Sequence, residues 1–243
     1  MLLSFFFDAR IPSLAREVAM KVLKYCFVLS TLVSTQAYAA GGSFFIDDAG
    51  IAEKGEFELQ VWTRQGTSDY SELTIAPAFQ AVTNLEITTE VVFDKVSENG
   101  GNARSSALNL EAKYLSPFSV DSLDYGLVVA AGYSSGRVSE LYSYIPVSYE
   151  LNESLIFHLN LGHVYDREAS DGAWIWAVGP ELSVSDNVQI VASIFGEDEG
   201  RSGFEVGLRN TLVHENLEIE TIYARDAFGN SDDLFTLGFI LFF

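Results

Sequence analysis

The stretch that decides the fold is residues 232–243, which read DDLFTLGFILFF. Its apolar residues recur at every second position, and one phase of the alternation holds Phe235, Leu237, Phe239, Leu241 and Phe243. Because successive side chains of a β-strand point to opposite faces, these residues share one face. Solvated chain ends are ordinarily polar and frayed, so we expect this strand to lie against an apolar medium.

The same alternation recurs along the chain, for example in FELQVWT, LIFHLNLGH and FEVGLRNTL. No apolar run after residue 40 has the length of a membrane-spanning helix. The alternation predicts about twelve strands, an even number, over residues 55–66, 70–81, 84–95, 103–116, 122–134, 140–151, 154–165, 173–185, 188–197, 203–213, 216–226 and 232–243.

The connections between these strands fall into two kinds. Short ones read VTN, LNES, SDN and HEN, and longer, acidic, glycine-bearing ones read KVSENGGNARS, DREASDG, GEDEGRSG and RDAFGNSD. Tight turns at one end and long loops at the other are typical of a transmembrane antiparallel β-barrel. The sequence therefore predicts an all-β barrel of about 12 strands, with outward aromatic residues near both rims.

Three prolines mark a hairpin-sized repeat. Pro77, Pro146 and Pro180 each stand six or seven residues before an Asn or Asp at a tight turn. Proline has no N–H for the strand ladder, so we expect bulges or irregular pairing near these positions.

The amino-terminal region predicts a removed signal peptide at residues 1–39. Its start is expected at Met20, which makes residues 1–19 an extension; basic Lys21 and Lys24 precede the apolar YCFVLSTLV, and QAYAA offers a cleavage site after Ala39. Residues 40–243 would form the barrel domain. The single cysteine lies within the signal peptide, so the remaining chain has no disulfide or thiol chemistry.

The charge balance excludes one class of partner. The chain has 14 Lys and Arg against 34 Asp and Glu, a net charge of -20. Nucleic acid requires a basic surface, so no nucleic-acid partner is expected.

The carboxyl terminus suggests where the barrel is inserted. Phe239, Leu241 and Phe243 resemble the terminal assembly signal of bacterial outer-membrane proteins. That resemblance implies the bacterial outer membrane as location, its lipids as surroundings, and the outer-membrane barrel assembly machinery as a partner.

The stretch FFIDDAGIAEKGEFELQVW, residues 44–62, resembles the opening of the outer-membrane proteins grouped with the meta-pathway of phenol degradation. The residues that carry the resemblance are Asp47, Asp48, Gly55, Glu56, Glu58 and Trp62. The resemblance implies a membrane barrel with a transport role.

A set of polar residues has the strand phase that faces the barrel lumen. These are Glu58, Glu86, Glu90, Glu111, Lys113, His158, Glu181, Glu205, Arg209, Glu218 and Glu220. Carboxylates predominate, which fits either a cation-attracting pore lining or a packed interior in which Lys113 and Arg209 neutralise their neighbours.

These observations predict a passive channel or transport protein for small solutes that prefers cations. The alternative is a closed structural or adhesion barrel acting through its acidic loops, and the third candidate is an outer-membrane lipid hydrolase. His163 is the residue to consider for hydrolysis, but the following VYD provides no serine and no group to orient the ring. We therefore expect no enzyme, no cofactor and no dedicated metal site, and we interpret the acidic stretches 166–171 and 197–200 as solvated charge.

Overall fold

The computed structural model describes residues 43–67, 70–98, 101–118, 122–198, 202–212, 216–225 and 233–243. They form twelve β-strands: β1 (Phe57–Gly66), β2 (Tyr70–Val82), β3 (Leu85–Glu98), β4 (Gly101–Leu115), β5 (Leu123–Ser134), β6 (Arg137–Asn152), β7 (Leu155–Asp166), β8 (Asp171–Ser185), β9 (Val188–Glu197), β10 (Ser202–Leu212), β11 (Leu217–Arg225) and β12 (Asp233–Phe242). Across these described ranges, no helix is long and apolar enough to cross a membrane. The predicted signal peptide lies outside them, so its removal stays a prediction.

Every strand pairs with its neighbours in sequence, and β1 pairs with β12 to close the barrel. The closing ladder is antiparallel and runs from Glu58 opposite Phe242 to Gly66 opposite Leu234. Phe57 and Phe243 exchange backbone hydrogen bonds of 3.2 and 2.9 Å at its end. The prediction of a twelve-stranded antiparallel barrel is confirmed, and β12 is the strand on which that prediction first rested.

The strands extend beyond their predicted bounds at the rim opposite the chain termini. β3 and β4 remain paired as far as Glu98 opposite Gly101, and β7 and β8 as far as Asp166 opposite Asp171. Most of KVSENGGNARS is therefore strand, and its prediction as a long loop was wrong. Apolar alternation ends where the outer face stops meeting an apolar medium, whereas backbone pairing continues beyond that level.

The outward face is apolar around the whole barrel. Leu159, Leu161, Ile194 and Leu208, from three different strands, are each about half exposed. The largest exposed aromatic side chains lie near the two rims and include Phe57, Phe79, Phe93, Tyr114, Phe118, Tyr149, Tyr165, Trp174, Phe235 and Phe243. An apolar belt between aromatic girdles is the surface that a bilayer requires of a barrel.

The three prolines interrupt strand pairing as predicted. The register of β2 with β3 passes from Ile75 directly to Ala78, skipping Pro77. The β5–β6 and β8–β9 registers skip Pro146 and Pro180 in the same way. A register shift follows within three or four residues, between Gln80 and Val82, Glu150 and Asn152, and Ser183 and Ser185.

Candidate functional site

The predicted lumen residues all lie inside the barrel. Nine of the eleven side chains are almost completely buried, namely Glu58, Glu86, Lys113, His158, Glu181, Glu205, Arg209, Glu218 and Glu220. Glu90 and Glu111 are partly buried and line an internal cavity.

The lumen also holds a segment that does not belong to the barrel wall. Residues 43–56, which we call the plug segment, precede β1 without forming a helix or strand. Ser43 and Ile46 are each only 3% exposed, and Phe44, Ala49 and Ala52 are buried as well. The first strand was predicted from residue 55, and the position of the preceding residues inside the barrel was not predicted.

The first residues of the plug segment pack against apolar side chains of the wall. Phe44 and Ile46 form a cluster with Ala177, Val191, Phe195 and Ile222. The rings of Phe45 and Phe195 stack with their centroids 4.3 Å apart. These wall residues come from β8, β9 and β11, so one side of the lumen is apolar where the segment enters it.

Wall carboxylates accept hydrogen bonds from the backbone of the plug segment. Glu220 accepts from the N–H of Ser43 at 3.2 Å and from its hydroxyl at 2.6 Å. Glu205 accepts from the N–H groups of Phe45 and Ile46 at 3.0 and 3.1 Å. Hydrogen bonds to charged groups are among the strongest in proteins, so these two side chains fix the start of the segment.

The other end of the plug segment is held in the same manner on the far side of the lumen. The N–H of Ala52 donates to Glu86 at 2.6 Å, and that of Ala49 donates to the hydroxyl of Ser148 at 2.8 Å. The segment thus reaches from β10 and β11 to β3, and it crosses the interior of the barrel.

Asp47 is the most heavily bonded residue in the middle of the segment. Its carboxylate lies 2.8 Å from Nζ of Lys113 and accepts from the Tyr144 hydroxyl at 2.8 Å. Its N–H donates to Asn160 Oδ1 at 2.7 Å, and its carbonyl accepts from Asn160 Nδ2 at 2.8 Å. Strands β4, β6 and β7 therefore all converge on one side chain and its peptide groups.

Asp48 shares the same cation. Its Oδ1 lies 3.5 Å from Nζ of Lys113, whose side chain is 3% exposed. Burial raises the pKa of Asp48 above its ordinary value of 3.8, and the charge of Lys113 opposes that rise. One buried ammonium therefore holds two plug carboxylates.

A second cation organises the opposite wall. Arg209 lies 2.8 Å from Glu220, 3.4 Å from Glu181 and 3.6 Å from Glu218. Its guanidinium carbon also lies 5.4 Å from the centroid of the Phe44 ring. Arg209 thereby positions Glu220, which in turn holds Ser43.

Arg64 and Glu72 extend the interior network toward the opposite rim, and neither was among the predicted lumen residues. Arg64 donates to the carbonyl of Ser43 at 3.0 Å and lies 4.8 Å from the centroid of Phe45. Its Nη1 is 3.6 Å from Glu72, which also accepts from the indole N–H of Trp62 at 3.0 Å. Both residues have the inward phase of their strands, and that phase was the available signal.

A cavity of about 330 Å³ adjoins the plug segment. Phe44, Phe45 and Asp47 form part of its wall. Glu90 accepts a hydrogen bond from Asn109 at 2.9 Å, and Glu111 accepts one from the Tyr142 hydroxyl at 3.1 Å. Both carboxylates line the cavity, and these hydrogen bonds come from wall residues and not from the plug segment, so both are well placed to meet a solute.

The residue considered for hydrolysis has a different setting. His163 packs its ring edge-on against Trp174, with the centroids 5.5 Å apart. Both belong to the outward phase near one rim, which is where a girdle side chain lies. In the part of the chain that the structure describes, no group of three or more His, Cys, Asp or Glu is arranged to hold a metal ion.

Solved structures with the same architecture are outer-membrane porins and channels. The KdgM porin superposes with a TM-score of 0.63 at 10% identity, covering 76% of this chain and 98% of that one. The NanC porin gives 0.59 at 10% identity, with 76% and 98% covered. The COG4313 outer membrane channel from Pseudomonas putida F1 gives 0.56 at 12% identity, with 81% and 98% covered. At these identities the likeness shows the fold.

Sequence comparison gives a family as well. The family model described as "Uncharacterised conserved protein UCP029691" matches residues 28–243. No curated protein has a significantly similar sequence. The expected grouping with the meta-pathway of phenol degradation is not what this family model describes.

Proposed function

The chain belongs to the family described as "Uncharacterised conserved protein UCP029691", and we propose that it is a bacterial outer-membrane barrel that passes small solutes by diffusion and prefers cations. The barrel fold shared with porins and channels supports the transport role. The apolar belt and aromatic girdles support insertion among outer-membrane lipids. In this proposal, the barrel assembly machinery recognises the terminal residues Phe239, Leu241 and Phe243.

The observation that carries the cation preference is the charge imbalance of the interior. The cations among the described interior side chains named above are Arg64, Lys113 and Arg209, and each is already paired with carboxylates. The interior carboxylates include Asp47, Asp48, Glu58, Glu72, Glu86, Glu90, Glu111, Glu181, Glu205, Glu218 and Glu220. Excess negative charge in a narrow, low-dielectric passage concentrates cations and repels anions.

The same charge imbalance predicts solutes that differ from the ligand of one porin with a similar fold. The KdgM porin has been solved in complex with disordered oligogalacturonate, a polyanion. A lumen rich in carboxylates would repel such a ligand. The shared architecture therefore supports passive passage here, while the solutes that we propose have the opposite charge.

The test is the reversal potential of the purified protein in a planar bilayer across a salt gradient. We expect cation selectivity that weakens as salt rises, because screening shortens the range of each charge. Glu90→Gln with Glu111→Gln should reduce the selectivity. Glu168→Gln, which alters an exposed pair with Arg137 at a rim, is the control and should leave it unchanged. Anion selectivity of the wild-type protein would contradict the proposal.

The plug segment supports a second candidate, a closed structural barrel. Glu86, Glu205 and Glu220 are engaged by backbone N–H groups, as a packed interior requires. In that case the protein would conduct no ions, and its role would depend on its surface. Absence of conductance from both the wild-type barrel and a barrel lacking the segment would favour this candidate over the channel.

A further inference from the structure

We infer that the plug segment is a gate: it is tethered to the barrel at β1, seated across the lumen, and able to leave its seat without unfolding the wall. The expectation that unseating changes conduction rests on the proposed channel function. The seating and unseating of the segment can be measured independently of conduction.

One end of the plug segment is joined directly to the barrel wall. Its connection to β1 passes through residues 53–56, which are exposed and form a single turn with the N–H of Glu56 donating to the carbonyl of Glu53 at 3.0 Å. Gly55 has a φ of 93°, and a Cβ built there would meet nothing within 4 Å. A glycine in open space, in a backbone region that other residues rarely adopt, gives the segment a hinge beside β1.

The bonds that seat the segment are separate from those that hold the wall. Strand pairing closes the barrel completely, from β1 through to β12, without using any residue of the plug segment. The segment is held instead by side chains of the wall, chiefly Glu220 and Glu205 at its start and Lys113 and Glu86 further along. Water can replace hydrogen bonds of this kind, so unseating exposes these polar groups together with the apolar Phe44 and Ile46 but leaves the barrel ladder unbroken.

The barrel wall leaves space for the first residues of the plug segment. A Cβ at Gly207 would lie 2.7 Å from the Phe44 ring, and a Cβ at Gly238 would lie 3.0 Å from Oγ of Ser43. The absence of side chains at these two wall positions leaves space that the segment fills. Together with the paired contacts of Asp47, this fit defines one closed position rather than a loosely occupied lumen.

The Gly238 geometry also provides a lock. Cβ of one cysteine and Sγ of its partner lie about 3 Å apart in a disulfide of ordinary dimensions. Ser43→Cys with Gly238→Cys therefore places a disulfide between the segment and β12. The only native cysteine is Cys26, so the protein without residues 1–39 has no competing thiol.

The first experiment measures conductance of the locked protein in a planar bilayer. We expect the oxidised double variant to lack the larger openings of the wild type, and dithiothreitol to restore them. The two single variants, Ser43→Cys and Gly238→Cys, are matched controls and should not respond to dithiothreitol. A barrel lacking residues 43–54, with folding checked by heat-modifiable migration, should stay in the larger conductance.

The second experiment needs no conduction. In the Ser43→Cys variant the thiol is buried while the gate is closed, so its reaction with a water-soluble maleimide reports unseating. We expect labelling of the folded barrel, and we expect Gly207→Val to accelerate it by pressing on Phe44.

The outcomes separate the two proposals. Equal conductance of the oxidised, reduced and truncated proteins, all conducting, would overturn the gate and leave the channel. No conductance from any of them, with Ser43→Cys labelled in the folded barrel, would overturn the channel and leave a mobile segment. A folded barrel whose Ser43→Cys resists labelling until it is denatured would overturn the gate.

Discussion

Removing the charge of Lys113 should release the middle of the plug segment. Lys113→Met leaves Asp47 and Asp48 without the ammonium that lies 2.8 and 3.5 Å from them. Removal of one partner from a buried ion pair costs about 3–5 kcal/mol. The free energy of seating the segment should fall by that amount, which corresponds to a rise of roughly two to three and a half powers of ten in the unseated fraction.

Amide hydrogen exchange of residues 43–56, followed by mass spectrometry on the folded barrel, measures that fraction. The N–H groups of Asp47 and Ala49 are bonded to Asn160 and Ser148, so they exchange only when the segment leaves its seat. Lys113→Arg retains the charge and should be much milder. Arg137→Met breaks a largely exposed pair with Glu168 and should leave exchange in the segment unchanged.

The effect of Lys113→Met should also depend on pH. Because burial raises the pKa of Asp48 in the seated state, that state binds a proton more readily, and seating weakens as pH rises from 3.8 through the raised pKa. Loss of Lys113 removes a charge that opposes the rise, so the penalty should shrink on acidification. Wild-type exchange rates in Lys113→Met at neutral pH would refute the role given to this ion pair.

Three further predictions concern the wall, the closing strand and the seat. Leu159→Arg on the outward face should lower the free energy of unfolding in vesicles by about 2–4 kcal/mol. Thr88→Arg on the inward face, beside Glu86 and Glu90, should lower it far less, and the reverse order would show that the inward and outward faces are misassigned. Deleting Phe243 removes its backbone bonds with Phe57, so heat-modifiable migration should report less folded barrel, and an unchanged yield would contradict this. Tyr144→Phe removes a hydroxyl bonded to Asp47 and should weaken seating by about 1.5–3 kcal/mol in amide exchange, whereas Tyr142→Phe, whose hydroxyl bonds Glu111, should not.

The barrel wall could be predicted because its signal is local. In β7, for example, Leu155, Phe157, Leu159 and Leu161 alternate with His158 and Asn160, and that alternation follows from a wall with an apolar outside and a polar inside. The predicted strand ends were less accurate at the rim opposite the chain termini. There, residues 97–102 read SENGGN, a polar stretch in which the sequence shows no alternation.

The plug segment could not be predicted because its signal is not local. Residues 43–54 have no strand or helix period, and their partners are distant: Glu220 is 177 positions from Ser43, and Lys113 is 66 from Asp47. The interior excess of Glu over Lys and Arg was visible in the sequence. Several of these carboxylates accept hydrogen bonds from backbone N–H groups of the plug segment. Nearly every residue has such a donor, so amino-acid composition could not predict these bonds.

The location of the strands that hold the plug segment has a consequence for the order of assembly. The residues that seat Ser43 and Phe45 belong to β10 and β11, which are synthesised long after the segment itself. Loop-closure entropy opposes such distant contacts until the intervening chain is ordered. The segment is synthesised before every strand, yet it docks only once β10 and β11 have joined the sheet. An assembly intermediate with strands already paired but the amino-terminal residues still open to protease is the expected signature.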